Sequence, residues 1–382
     1  MNLIMKKTII ILAIIINCTQ IFAQIHLQLV DAEATPETKA LYANLWVLQQ
    51  KGFMFGHHDD LNYGRHWYGI DGKSDTKDVC GDYPAVFSMD FATLMDDRYQ
   101  PDDERMALTR KNILAARRRG EVITACAHLN NPLTGGDSWD NSSREVVAQI
   151  LQKDSKTHQK FNLWLDRLVN YVKELKDDND QPIPIIFRPF HEHTQTWNWW
   201  GRGCATEAEF VNLWRYTVDY LISSGVHQFI YIISPQSGGA DKEDRFTYWW
   251  PGDHYVDMIG YDYYEQENPI DFYISLKNLS AVSEKKMKPC AVTETGLEAF
   301  TNPRYWTDQI LQPATAEDVH VSFIAFWRNK YVGKNEKDTH YFSVFPGHVS
   351  ENNFRSFYQD KRTFFSKDLP DMYKMARGIT VE

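Results

Sequence analysis

The chain has 382 residues, 43% hydrophobic and 24% charged, with a net charge of −10. That balance supports a large buried core and argues against disorder. The absence of a basic stripe argues against a nucleic-acid partner, because neutralising phosphates takes clustered lysine and arginine. Aromatic residues make up 14%, with 12 tryptophans, which suits either a large core or a carbohydrate cleft.

At the amino end, Lys6 and Lys7 precede an apolar run from Thr8 to Ile16. The run is too short to span a bilayer, and Ile21 and Ala23 suit cleavage before Gln24, so residues 1–23 read as a secretory signal peptide. Cys18 is an alternative lipid-attachment site, which Asn17 disfavours. No later segment resembles a membrane span.

Leu41, Leu45 and Leu48 recur at helical spacing between Glu37 and Lys51. A first strand, GFMFGHHDD, carries His57 and His58 and leads into a polar, glycine-containing loop from Asn62 to Asp82. The second, PAVFSMDF, reaches Asp90; a helix over about 101–119 stops at Gly120. The third, EVITACAHL, reaches His128 and runs into NNPLTGGDSWD, and one long helical pattern covers about 143–176. The fourth opens IIFRPFHEHTQTWNWWG, an apolar run followed by Arg188, His191, Glu192 and His193, then Trp197, Trp199 and Trp200. A helix over 207–224 stops at Gly225. Next come QFIYIISPQ, VDMIGYDYY, a helix over 270–286, PCAVTETG, a helix over about 305–312, VSFIAFWRN and a last helix near 352–359.

Strands alternating with helices imply a parallel sheet, and eight such units imply closure into a (β/α)8 TIM barrel. The rival open sheet lacks the glycine-rich fingerprint after its first strand. Residues 24–382 read as one catalytic domain. Polar or aromatic residues tip the carboxyl ends of the runs: His57 and His58, Asp90, His128, Arg188 with His191 and Glu192, Asp262, Glu294, and Trp327 with Arg328. In such a barrel those ends share the face that carries the active site. No CxxC or HExxH spacing occurs, so a structural zinc site is not expected, and the chemistry read below calls for neither a metal nor a cofactor. Cys126 and Cys290 read as buried thiols, whereas Cys80 and Cys204, in polar segments, are open to pairing in an oxidising compartment.

Glu192 on the fourth strand and Glu294 on the seventh would face each other across the mouth. Two carboxyls across a sugar-sized gap are what glycoside hydrolysis needs, about 5–5.5 Å for retention and about 6.5–9.5 Å for inversion. The acid needs a pKa raised by burial or a nearby charge, while its partner must stay ionised. Arg188 is placed to orient a carboxylate or to form a structural ion pair.

RPFHE with WNWWG on the fourth strand and TETG on the seventh resembles glycoside hydrolase family 26, chiefly β-mannanases. His191, where related families have asparagine, sharpens the likeness. The resemblance implies a secreted endo-β-1,4-mannanase that hydrolyses mannan or galactomannan with retention through a covalent glycosyl-enzyme. Glu192 is then the acid/base and Glu294 the nucleophile. It further implies that His191 hydrogen-bonds at the reacting site, that His128 contacts the sugar in the −1 subsite and that Trp197 borders the cleavage point. Asp262 and Tyr264 match a pair whose tyrosine donates to the nucleophile, and Trp327 matches the floor of the −1 subsite. Trp200 is expected near the cleft; Trp139, Trp199, Trp249, Trp250 and Trp306 are core or outer-subsite candidates. Alternatives are action on mixed-linkage glucan or β-1,3-xylan, or release of mannobiose if the 62–82 and 133–142 loops close one end. A silent glycan-binding protein is the alternative of another class, against which both carboxylates argue.

Overall fold

Every strand-like run forms a strand: β1 Phe53–His58, β2 Val86–Asp90, β3 Val122–Cys126, β4 Ile185–Arg188, β5 Phe229–Ile233, β6 Met258–Tyr263, β7 Cys290–Thr295 and β8 Phe323–Phe326. They come from a computed structural model that describes residues 24–236, 242–264, 268–333 and 336–382. The signal segment and Cys18 lie outside the described residues. Neighbouring strands pair in parallel in sequence order, and β8 returns to β1 with Phe326 opposite His57. The sheet is therefore a closed (β/α)8 barrel, as the alternation implies.

The strands are apolar in both alternating sets because both faces are covered. Met54, Val86, Val122, Ile186 and Met258 point inward at the amino end, in a cluster with Leu41, Tyr42 and Leu45 of helix α1 (Pro36–Leu48). A parallel pair of short strands, Ile25–Leu27 with Ile379–Val381, seals this foot. The alternate residues, Phe53, Phe55, Ile123, Phe187, Tyr231 and Tyr261 among them, pack outward under the helices.

Three local expectations are corrected, and the open pairing of two cysteines is answered. The pattern over 143–176 is two helices, Val146–Leu151 and Lys156–Lys173, because the Ser155 hydroxyl accepts from His158 N–H at 2.9 Å and starts a new helix. The 305–312 helix is a π turn, Trp306–Leu311, running into a short α turn at Gln312–Ala314; Pro313 has no N–H to give to the preceding turn. The 62–82 loop holds a hairpin, Tyr63–Gly64 with Trp67–Tyr68, and a helix, Asp75–Cys80, capped by Ser74. Cys80 and Cys204 do not pair. Each thiol instead donates to a nearby carbonyl, Asp82 and Asn141 respectively. Among the described residues no helix is long and apolar enough to cross a membrane.

Candidate active site

Strand β4 delivers Arg188 inward and the chain then turns sharply, with Phe190 and Glu192 at φ 51° and 53°. Such angles are costly for side-chain-bearing residues and persist where surrounding contacts enforce them. Here Phe190 is fully buried, and the Glu192 N–H donates to the Ser234 carbonyl beyond β5 at 2.8 Å. The turn lifts Glu192 past the strand end into the mouth, where Trp197 Nε1 donates to its Oε2 at 2.8 Å.

Strand β7 delivers Glu294 by a different device. Cys290 and Val292 face outward and Ala291 inward, so strict alternation would turn Glu294 away from the interior. The pairing with β6 slips between Val292 and Glu294, which sets Glu294 opposite Asp262. This bulge lets Thr293 and Glu294 both point inward. Thr293 Oγ1 donates to Asp262 Oδ1 at 2.6 Å, and Tyr264 donates to Glu294 Oε1 at 2.6 Å. The buried Arg188 guanidinium bridges the other oxygens of Asp262 and Glu294. Gly296 follows at φ 140°, where a Cβ would come 2.7 Å from that of Phe342.

Both carboxyls are nearly closed to solvent, 8% exposed for Glu192 and 6% for Glu294, yet their pKa values move apart. Burial, then the charges of Glu294 and Asp262, push Glu192 well above the usual carboxylate range. Burial also pushes Glu294 upward, but Arg188, His128 and the Tyr264 hydroxyl outweigh it and hold it below its ordinary value. The shifts favour the protonated form of Glu192 and the ionised form of Glu294, the pattern that an acid and an anion in one site need.

His128 lies just past β3 and donates from Nδ1 to Asp90 Oδ2 at 2.7 Å. Burial pulls its pKa down, but Asp90 and Glu294 prevail and raise it. Burial and His128 lower that of His191. Their Nε2 atoms are 3.0 Å apart, so the two rings share a hydrogen bond. Trp327 lies against His58, with ring centroids 4.2 Å apart, and its backbone N–H donates to the Thr295 carbonyl at 2.7 Å. Among the described residues, Asp90, Cys126 and His128 are grouped as metal ligands would be. Asp90 and His128 are already bonded to each other, and burial holds the Cys126 thiol well above its ordinary value. The set therefore works as a hydrogen-bonded pair.

These groups open on a cleft of about 500 Å³ lined by His128, Trp139, Glu192, Trp197, Gln236, Tyr264, Glu294, Trp327 and Phe342. Arg188, His191 and Asp262 sit beneath it and act through the lining. Trp200 is corrected: it is fully buried, donating from Nε1 to the His191 carbonyl at 2.7 Å, and props the turn from below. Trp199 is buried likewise, bonded to the Leu129 carbonyl. Trp139, one of the undecided tryptophans, is 66% exposed on the cleft wall. Gln236 and Phe342 were not singled out from the sequence. Gln236 ends the fifth strand-like run, so the strand-end rule would have found it; Phe342 lies far from any strand end and carried no signal.

A closed barrel whose mouth pairs a carboxyl of raised pKa with one of lowered pKa, between indole walls, has the make-up of a glycoside hydrolase. Residues 30–302 match glycosyl hydrolase family 26, and the chain belongs to that family. It is 30% identical to a mannan endo-1,4-β-mannosidase of Bifidobacterium adolescentis over 371 residues, 89% of this chain and 36% of the relative. It is 24% identical to another from Bacillus subtilis strain 168, spanning 59% of that protein. The chain thus spans well under two thirds of these curated relatives. Among solved structures, a family 26 β-mannanase from Bacteroides ovatus is 36% identical, with a TM-score of 0.82 over 90% of this chain and 98% of that one. The catalytic domain of a Bacillus sp. JAMB-750 endo-β-1,4-mannanase is 29% identical, with a TM-score of 0.83 over 94% and 98%.

Proposed function

We propose that the chain is an exported endo-β-1,4-mannanase that cleaves mannan or galactomannan with retention, the 1–23 leader directing it out of the cytoplasm. The observation that carries the reading is the opposite perturbation of two carboxyls in one cleft, Glu192 raised and Glu294 lowered. The relatives that bear the mannanase name support mannan as the substrate class.

In the first step Glu294 attacks the anomeric carbon while Glu192 gives its proton to the departing glycosidic oxygen. Arg188 and Tyr264 hold the nucleophile ionised and oriented. Forming the glycosyl ester removes the charge of Glu294, the largest influence raising Glu192 after burial. The Glu192 pKa then falls, and the carboxylate takes a proton from the water that releases the sugar. His128 and Trp327 bound the sugar whose bond is broken, and Trp197 borders the leaving side.

Assay of the purified protein on mannan, lichenan and xylan, with early products separated, tests the substrate; no hydrolysis of any of them would sink the enzyme reading. Glu192→Ala and Glu294→Ala are each expected to lower turnover on mannan by roughly 10²–10⁴-fold or more, and near-normal turnover would remove the role. NMR of the first product anomer should show retention, and inversion would contradict a nucleophilic Glu294.

A further inference from the structure

The hairpin after β1 has two unlike faces. Gly64 pairs with Trp67 on one, where the Trp67 ring is buried and donates to Asp75 at 2.9 Å. Tyr63 pairs with Tyr68 on the other, their rings parallel with centroids 6.0 Å apart. That aromatic face looks toward the cleft: the Tyr63 hydroxyl accepts from Arg328 Nη1 at 3.3 Å, and the Arg328 guanidinium lies 5.5 Å from the Trp327 ring centroid. Tyr68 remains 53% exposed and meets Tyr331, 46% exposed, edge to face at 6.1 Å.

The pair is held firmly. Val332 N–H donates to the Arg65 carbonyl at 3.0 Å, and the Arg65 guanidinium bonds the Lys330 and Asp338 carbonyls and lies 5.0 Å from the Tyr341 ring centroid. The hairpin and the segment after β8 are thereby strapped into one wall. Single exposed aromatics need no explanation. Two exposed rings in edge-to-face contact, linked to the cleft residue Trp327 through Tyr63 and Arg328, present a preformed surface that loses little entropy on binding.

Their place fixes which part of the substrate they meet. Glu192 protonates the leaving oxygen, so the leaving chain lies on the β4 side with Trp197. On the same reading the retained chain runs the other way, over Trp327, whose ring packs on His58 and whose neighbour Arg328 bonds Tyr63, toward the hairpin and the segment after β8 that carry Tyr68 and Tyr331. We propose that Tyr68 and Tyr331 form an outer subsite for the retained, non-reducing arm of a β-linked hexopyranose chain, stacking on its apolar ring faces several sugars from the scissile bond. The inference rests on the glycoside hydrolase reading above.

The test compares Tyr68→Ala, Tyr331→Ala and the double variant with wild type on a mannotriose and a mannohexaose. KM for the hexasaccharide should rise roughly three- to tenfold per ring removed, with kcat within about twofold and trisaccharide kinetics unchanged, and Tyr68→Phe should restore the hexasaccharide KM. An unchanged hexasaccharide KM overturns the subsite, as does an equal loss on both substrates, which would mark a structural role. A wild type that only clips disaccharides from the hexasaccharide end also overturns it, since no chain would then pass the platform. If wild type leaves mannan intact, the substrate reading fails by itself, and the comparison moves to the β-glycan it does cleave, where a flat KM still overturns the subsite. Hydrolysis of no glycan removes both.

Discussion

The Trp197 indole donates to the carboxyl that, in the proposed mechanism, begins the reaction protonated. A hydrogen bond to the ionised form favours ionisation, so it pulls the Glu192 pKa down against burial and the charges of Glu294 and Asp262. The opposition suits a group that is acid in one step and base in the next. Trp197→Phe keeps an aromatic wall and removes the donor. Glu192 should then rise further, moving the alkaline limb of the kcat/KM profile to higher pH, while kcat falls by roughly tenfold or more through loss of a charged hydrogen bond. An unmoved alkaline limb would mean that the indole contributes only its surface. Tyr264→Phe is the counterpart at the other end of the bell. Its hydroxyl is one of the groups that keep Glu294 low, so without it the acid limb should move up toward neutrality, read from the same profile.

At the level of elements, β7 matters most. The barrel itself was legible because each strand is apolar in both alternating sets, which marks burial on two faces, and because eight such runs alternate with helices. Glu192 and Glu294 were legible as strand-end carboxylates in recognisable motifs. How they reach the mouth was not. The slip between Val292 and Glu294 is fixed by hydrogen bonding to β6 and β8, partners far away in sequence, and nothing local announces it. Trp200 misled for a related reason: its motif is genuine, but whether an indole after the acid lines the cleft or props the turn depends on where the chain doubles back. Gly296 closes the bulge, and its φ of 140° together with the close approach of Phe342 explains the glycine of TETG. Gly296→Ala should destabilise the fold by about 1–3 kcal/mol and lower kcat/KM by displacing Phe342 or Glu294. Thermal melting alongside kinetics checks this, and an unshifted melting temperature would show that the β7 end yields freely.

For the whole molecule, an acid held protonated is a liability for folding at neutral pH. In the unfolded chain Glu192 titrates near the ordinary glutamate value, whereas in the fold burial, then the charges of Glu294 and Asp262, raise its pKa well above that value and favour the protonated form. Folding must take up that proton. Between the unfolded and the folded pKa the native state binds one proton more, so the unfolding free energy falls with rising pH by at most about 1.4 kcal/mol per unit from this group. The favourable contribution is complete below the unfolded pKa and is lost as pH rises through the folded one. Glu192→Gln keeps the shape and abolishes the uptake. Relative to wild type, its stability in chemical denaturation should therefore improve steadily from about pH 5 upward, just as activity is lost. Raised carboxyls that do not act on Glu192, such as Glu121 and Asp257, each at about 7, are common to both proteins and largely cancel in the difference. A difference that stays flat between pH 5 and 8 would mean that Glu192 is ionised in the resting fold, and the site would then lack its acid.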